Sequence, residues 1–218
     1  MSDGRIAGAR YGRLTGALAL LALLGIALSS MLGSGGNARG IAPGVRIPPF
    51  AAPLALGSLS GDVNIATRSR QGQAGDRPAC SVRGAQVLNV CQLYERAPLV
   101  LALFIDGGGC ADVLRRLQAL VPAFPQVGFA AVAIKGETQP VRGLIVSGHL
   151  SFPVGLDRDG ILVQLFRMAT CPQVNFVYPG GVVQAPALLG SSTQAQLRER
   201  VTALLAAARA RGWKPADR

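Results

Sequence analysis

Residues 99–113 limit the folds open to this chain more sharply than any other stretch. Leu99-Val100-Leu101-Ala102-Leu103-Phe104-Ile105 is apolar without interruption, Asp106-Gly107-Gly108-Gly109 breaks the run, and Cys110 leads into the next element. A short apolar segment of this kind is the pattern of a strand buried on both faces of a sheet. After Cys110 the period changes: Val113, Leu114, Leu117, Leu120 and Val121 are spaced as one face of a helix, with Asp112, Arg115, Arg116 and Gln118 between them. The pattern therefore delivers Cys110 to a helix N-terminus, where unpaired N–H groups and the helix dipole favour a thiolate. That placement points to redox or nucleophilic chemistry.

A chain of 218 residues, 50% of them hydrophobic, can bury one ordinary core. The front of the chain reads as an appendage to it. Arg5, Arg10 and Arg13 precede residues 14–32, which contain no charged side chain. A helix of that length spans roughly 28 Å, close to the hydrocarbon core of a bilayer. The organisation expected is a cytoplasmic N-terminus (1–13), a single transmembrane anchor (14–32), a Gly/Pro-rich tether (33–55), a folded domain (56–211) and a tail (212–218). Positive charge ahead of the span keeps the N-terminus in the cytoplasm and puts the domain on the extracytoplasmic side of the cell membrane. The alternative is a cleaved signal peptide and a secreted domain, although an h-region is usually only about 7–15 residues. In either case the four cysteines face a compartment where disulfides persist.

The formal net charge is +11. An exported domain with no basic run interleaved with aromatic residues is not expected to bind nucleic acid. Anionic lipid or cell-surface polymer would suit the charge better, and general abundance of Arg in the chain explains it as well.

Along the chain, Cys80 and Cys91 bracket two short apolar segments around Gly84, a spacing that fits a hairpin or a turn-and-helix closed by a disulfide. Residues 129–134 read as a second buried strand, parallel to the first. A helix is expected over 139–147, extended chain over 152–155, a turn at Asp157-Arg158-Asp159-Gly160, and a short helix over 161–168. Cys171-Pro172 then precedes an apolar segment, 174–178, and Pro179-Gly180-Gly181 turns the chain into an antiparallel hairpin. The last helix is expected over 193–211, with Ser192 as its cap and Leu197, Val201, Leu204, Leu205 and Ala208 as its apolar stripe.

Strand, glycine-cysteine turn, helix, strand, helix, X-Pro, hairpin and final helix is an order that resembles the thioredoxin-like superfamily, most closely its membrane-tethered bacterial redoxins. The residues that carry the resemblance are the strand-to-Cys110 turn, Phe152-Pro153-Val154-Gly155-Leu156-Asp157 with Asp159-Gly160, and Cys171-Pro172. It implies an α/β thioredoxin-like fold, a central mixed sheet flanked by helices. Cys110 matches the nucleophilic cysteine and Pro172 the cis-proline facing it. The family's second cysteine would be three residues on, where Val113 stands, so there is no Cys-x-x-Cys dithiol. Cys171, just before the proline, is the candidate resolving partner. The activity so implied is thiol-disulfide exchange with protein thiols or disulfides outside the cytoplasm, without a cofactor. A divergent peroxiredoxin-type antioxidant is an alternative, but Gly107 stands where that family carries a peroxide-binding Thr or Ser.

Two plainer readings stand beside this one. Cys80–Cys91 and Cys110–Cys171 could both be structural disulfides in a catalytically silent binding module. The sole histidine, His149, lies in a Ser-Gly-His-Leu segment and is read as an ordinary loop residue rather than a base or ligand. No metal site is expected, because the cysteines lack close-pair spacing. The triple glycine is followed by no Gly-Lys-Ser/Thr and so is not a phosphate loop. Its expected role is to let a partner's backbone approach Cys110.

Overall fold

The computed structural model describes residues 39–59, 62 and 77–215. The expected N-terminus and anchor, the start of the tether and the end of the tail lie outside these residues. Among the described residues no helix is long and apolar enough to cross a membrane.

In chain order the elements are β1 (Ala51–Pro53), β2 (Val87–Asn89), α1 (Val90–Arg96), β3 (Leu99–Phe104), α2 (Asp112–Gln118), β4 (Gly128–Ile134), α3 (Thr138–Ser147), β5 (Val154–Asp157), α4 (Ile161–Leu165), β6 (Gln173–Val177), β7 (Val183–Leu189) and α5 (Gln194–Ala210). Five strands form one mixed sheet in the order β5-β4-β3-β6-β7. β3, β4 and β5 are parallel, whereas β6 runs antiparallel to β3 and β7 antiparallel to β6. The uninterrupted apolar character of β3 follows from this position, since it is central and all six of its residues are buried.

Alternate residues of β3 serve two cores. Val100, Ala102 and Phe104 pack in one core with the apolar stripes of α2, α3 and α5. Leu99, Leu101 and Leu103 face the other, built from β1, β2, α1 and α4 around Phe50 and Phe166. The two rings meet edge to face with centroids 5.9 Å apart.

Residues 39–55 depart from the expected tether. Ile47 and Phe50 are fully buried, Arg46 bridges to Val182, and β1 pairs with β2. Pro and Gly punctuate this stretch, but its few apolar residues find partners distant in sequence. At Gly155 in β5 an added Cβ would lie 3.2 Å from the Ala52 Cβ, so glycine lets the N-terminal layer approach the sheet edge closely there. The cap of α5 also differs from expectation. Thr193 accepts from the Gln196 N–H while Gln196 reaches back to the Thr193 N–H, a capping box. Ser192 is buried, and its carbonyl accepts from Arg116.

Asn89 joins β2 to the segment carrying Cys80. Its side-chain oxygen accepts from the Gln92 N–H at the start of α1, and its amide donates to the Ala79 and Val82 carbonyls at 2.8 and 2.7 Å. Only 2% of the residue is exposed. Asn89→Ala would remove a cap and take the side-chain donor from the part-buried Val82 carbonyl, while the Ala79 carbonyl keeps the Val82 N–H, so a loss of about 1–2 kcal/mol is expected in urea unfolding. A loss below about 0.5 kcal/mol would show that these bonds contribute nothing net.

Candidate functional site

The site forms at the edge of the sheet where the parallel strands end. β3 finishes at Phe104, and Ile105 is already 46% exposed. Gly108 and Gly109 follow with φ of +60° and +75°, a left-handed pair that glycine adopts without strain. They turn the chain so that the Cys110 N–H donates to the Gly107 carbonyl and the Asp112 N–H to the Gly109 carbonyl. Cys110 thus lies two residues ahead of α2. Among the described residues, and apart from chain neighbours, no atom lies within 4 Å of where a Cβ would stand on Gly107 or Gly108, so the surface beside the turn is open.

Cys171 reaches the same edge from the antiparallel side. The register pairs Leu103 with Gln173, which brings the two residues ahead of β6 up to the end of β3. The Cys171–Pro172 bond is cis. The segment before it is held by three contacts: the Gly40 N–H donates to the Arg167 carbonyl, the Gly190 N–H to the Pro172 carbonyl, and Gln173 Nε2 to the Phe166 carbonyl. Gln173 is fully buried and also bonds Asn175, whose amide donates to Leu101 of β3.

Cys110 and Cys171 are joined as a disulfide with Cα atoms 5.6 Å apart. Cys80 and Cys91 form a second, at 5.4 Å. The two bonds have different surroundings. Cys91 is buried in the layer of β1, β2 and α1. Cys110 belongs to the opposite core, with Cys171 half-buried against it. The Ile105 N–H stands 3.1 Å from Cys171 Sγ and 3.4 Å from Cys110 Sγ, so one backbone donor faces both sulfurs. Sequence reasoning had no access to this donor, because a backbone amide leaves no residue-type signal.

No protein-family model matches the chain, and no curated protein matches its sequence. Solved structures do match. A Chlorobium tepidum protein described as the thiol:disulfide interchange protein DsbE is 14% identical, with a TM-score of 0.57 over 76% of this chain and 99% of that one. The thioredoxin domain of a thiol-disulfide oxidoreductase from Bacteroides vulgatus is 11% identical, with a TM-score of 0.54 over 76% of this chain and 99% of that one. The fold is thioredoxin-like. A Bacteroides thetaiotaomicron protein described as a protein disulfide isomerase is 11% identical, with a TM-score of 0.57 over 80% of this chain and 98% of that one.

In this thioredoxin-like frame His149 belongs to the end of the sheet opposite the Cys110 turn. It sits, exposed, in the loop between α3 and β5, at the sheet edge where the parallel strands begin. The turn after β5 gathers Asp62, Asp157 and Asp159, whose carboxylate oxygens lie within 4.8 Å of one another. Asp62 accepts from the Arg158 and Asp159 N–H groups, both at 3.0 Å. Asp157 is fully buried and accepts from the Leu162 N–H at 2.9 Å, while its other oxygen, Oδ1, has no hydrogen-bonding partner among the described residues. Burial, chiefly, and then the Asp159 and Asp62 carboxylates, push Asp157 from 3.8 up to about 7, against the lowering effect of the Leu162 N–H.

Proposed function

We propose that this chain is an exported, membrane-anchored thioredoxin-like protein that performs thiol-disulfide exchange through Cys110 and Cys171. Its partners are protein thiols or disulfides outside the cytoplasm. Residues 14–32 are the anchor in this reading, and secretion after signal cleavage is the alternative.

The observation that carries the reading is the pairing of a turn cysteine with the cysteine just before the cis-proline, at an edge where one sulfur-bearing residue is partly exposed. A bond with an accessible sulfur can be attacked by an incoming thiolate, whereas a sealed one cannot. The shared Ile105 N–H supports the same chemistry, since it offers a donor to whichever sulfur is released as an anion. Peroxide reduction is less well served, because Gly107 offers no hydroxyl where a peroxiredoxin carries Thr or Ser.

The test is catalysed reduction of insulin by a small dithiol. The intact chain is expected to raise the rate at least tenfold above the uncatalysed reaction, and Cys110→Ser or Cys171→Ser should return it to background. An intact chain no faster than background would leave the silent binding module as the reading.

A further inference from the structure

The resemblance assigns first attack to Cys110, the cysteine of the turn before the helix. Its surroundings argue for the opposite order. Cys110 is only 6% exposed, packed among Val113, Leu114, Leu117 and Val174 of the core on that face of the sheet. Cys171 is the less buried of the two, and it reaches that core only from its margin. An attacking thiolate approaches a disulfide along the S–S axis and bonds to the sulfur it can reach. Of the two residues, the one that meets solvent is Cys171.

The same assignment leaves the Cys171 anion a donor: the Ile105 N–H is within hydrogen-bonding distance of both sulfurs. Ile105 is itself exposed, and among the described residues the Gly107 and Gly108 positions beside it are open, so the turn leaves room for a partner chain to approach the bond.

We propose that Cys171 is the partner-facing sulfur and Cys110 the buried sulfur that resolves, an inference that rests on the exchange reading above. When the pair acts as oxidant, a partner thiolate attacks Cys171 Sγ. The partner-S–Sγ171 bond forms, the Sγ171–Sγ110 bond breaks, and Cys110 leaves with the electron pair and takes up a proton. A second partner thiolate then attacks the partner sulfur of the mixed disulfide and releases Cys171 as a thiolate. The partner dithiol becomes a disulfide, and the pair becomes two thiols. As reductant the steps run in reverse: the Cys171 thiolate opens the partner disulfide, and Cys110 closes on Cys171.

The decisive measurement maps the mixed disulfide formed when the oxidised full-length chain meets reduced glutathione. The reaction is quenched in acid, free thiols are alkylated, and peptides are analysed. Glutathione is expected on Cys171 at least ten times as often as on Cys110. In parallel, reduced Cys110→Ser should form an adduct with glutathione disulfide at least tenfold faster than reduced Cys171→Ser. Glutathione chiefly on Cys110, or the faster adduct in Cys171→Ser, would overturn the assignment while leaving the exchange reading intact. No reduction of the Cys110–Cys171 bond at any glutathione concentration would instead overturn the exchange reading and this order with it.

Discussion

Asp157→Asn is expected to stabilise the protein at pH 8 and to flatten its stability between about pH 4 and pH 7. The sign follows from the direction of the shift. Asp157 titrates near 3.8 when unfolded and is pushed up to about 7 in the fold, so between these values the native state holds a proton that the unfolded state has lost. Stability is then greatest below the unfolded value and declines as pH rises through the folded one. A displacement from 3.8 to about 7 corresponds to at most about 4 kcal/mol. Asparagine keeps the shape, can accept from the Leu162 N–H as the carboxylate does, and presents an amide donor toward Asp159 in place of a buried charge. Urea unfolding of both proteins at pH 4.5, 6, 7 and 8 measures the difference. An Asn variant with the same slope against pH as the parent would place the titration elsewhere.

That carboxylate also marks how far residue patterns reach. The Asp157–Gly160 turn was legible from its composition, but the sequence does not show that Asp62 clamps the turn or that Asp157 is sealed from solvent, because both depend on a contact nearly a hundred residues apart. Elements with strong local periods were readable: β3 as a doubly buried strand, β4 beside it, and the stripe of α5 from Leu197 to Ala208. Residues 39–55 were not. Their Gly and Pro content has the character of a linker, while their placement is decided by Ile47, Phe50 and Ala52 entering a core whose other buried members lie between Leu88 and Val183. Asn175 lies in the expected apolar segment 174–178 and Gln173 just ahead of it, yet the two form a buried polar chain beneath the Cys171 segment. At the site, the residue pattern pointed to Cys110, and the resemblance to the thioredoxin-like superfamily added Cys171 and Pro172. Which sulfur faces solvent is a property of packing against α2 and β6, and no residue type encodes it.

The disulfide away from the site should carry stability without carrying exchange. Cys80 and Cys91 are 11 residues apart, and closing so short a loop constrains the unfolded chain by about 3 kcal/mol in the chain-entropy account. The folded geometry has other supports. Asn89 ties the Cys80 segment to α1 through three hydrogen bonds, Arg83 pairs with Glu95 at 2.8 Å across the same loop, and Tyr94 packs in the core beside Cys91. That ion pair is exposed and is worth little by itself. Because the disulfide acts mainly on the unfolded state, the Cys80→Ala/Cys91→Ala double variant should retain its fold and its insulin-reduction rate within about twofold. Its unfolding free energy should drop by about 3 kcal/mol, a shift that guanidinium melts of both proteins under non-reducing conditions would resolve. A drop below about 1 kcal/mol would mean that the loop is already closed in the unfolded ensemble. Loss of exchange with the fold retained would tie this layer to the Cys110–Cys171 site, contrary to their placement in separate cores on opposite faces of the sheet.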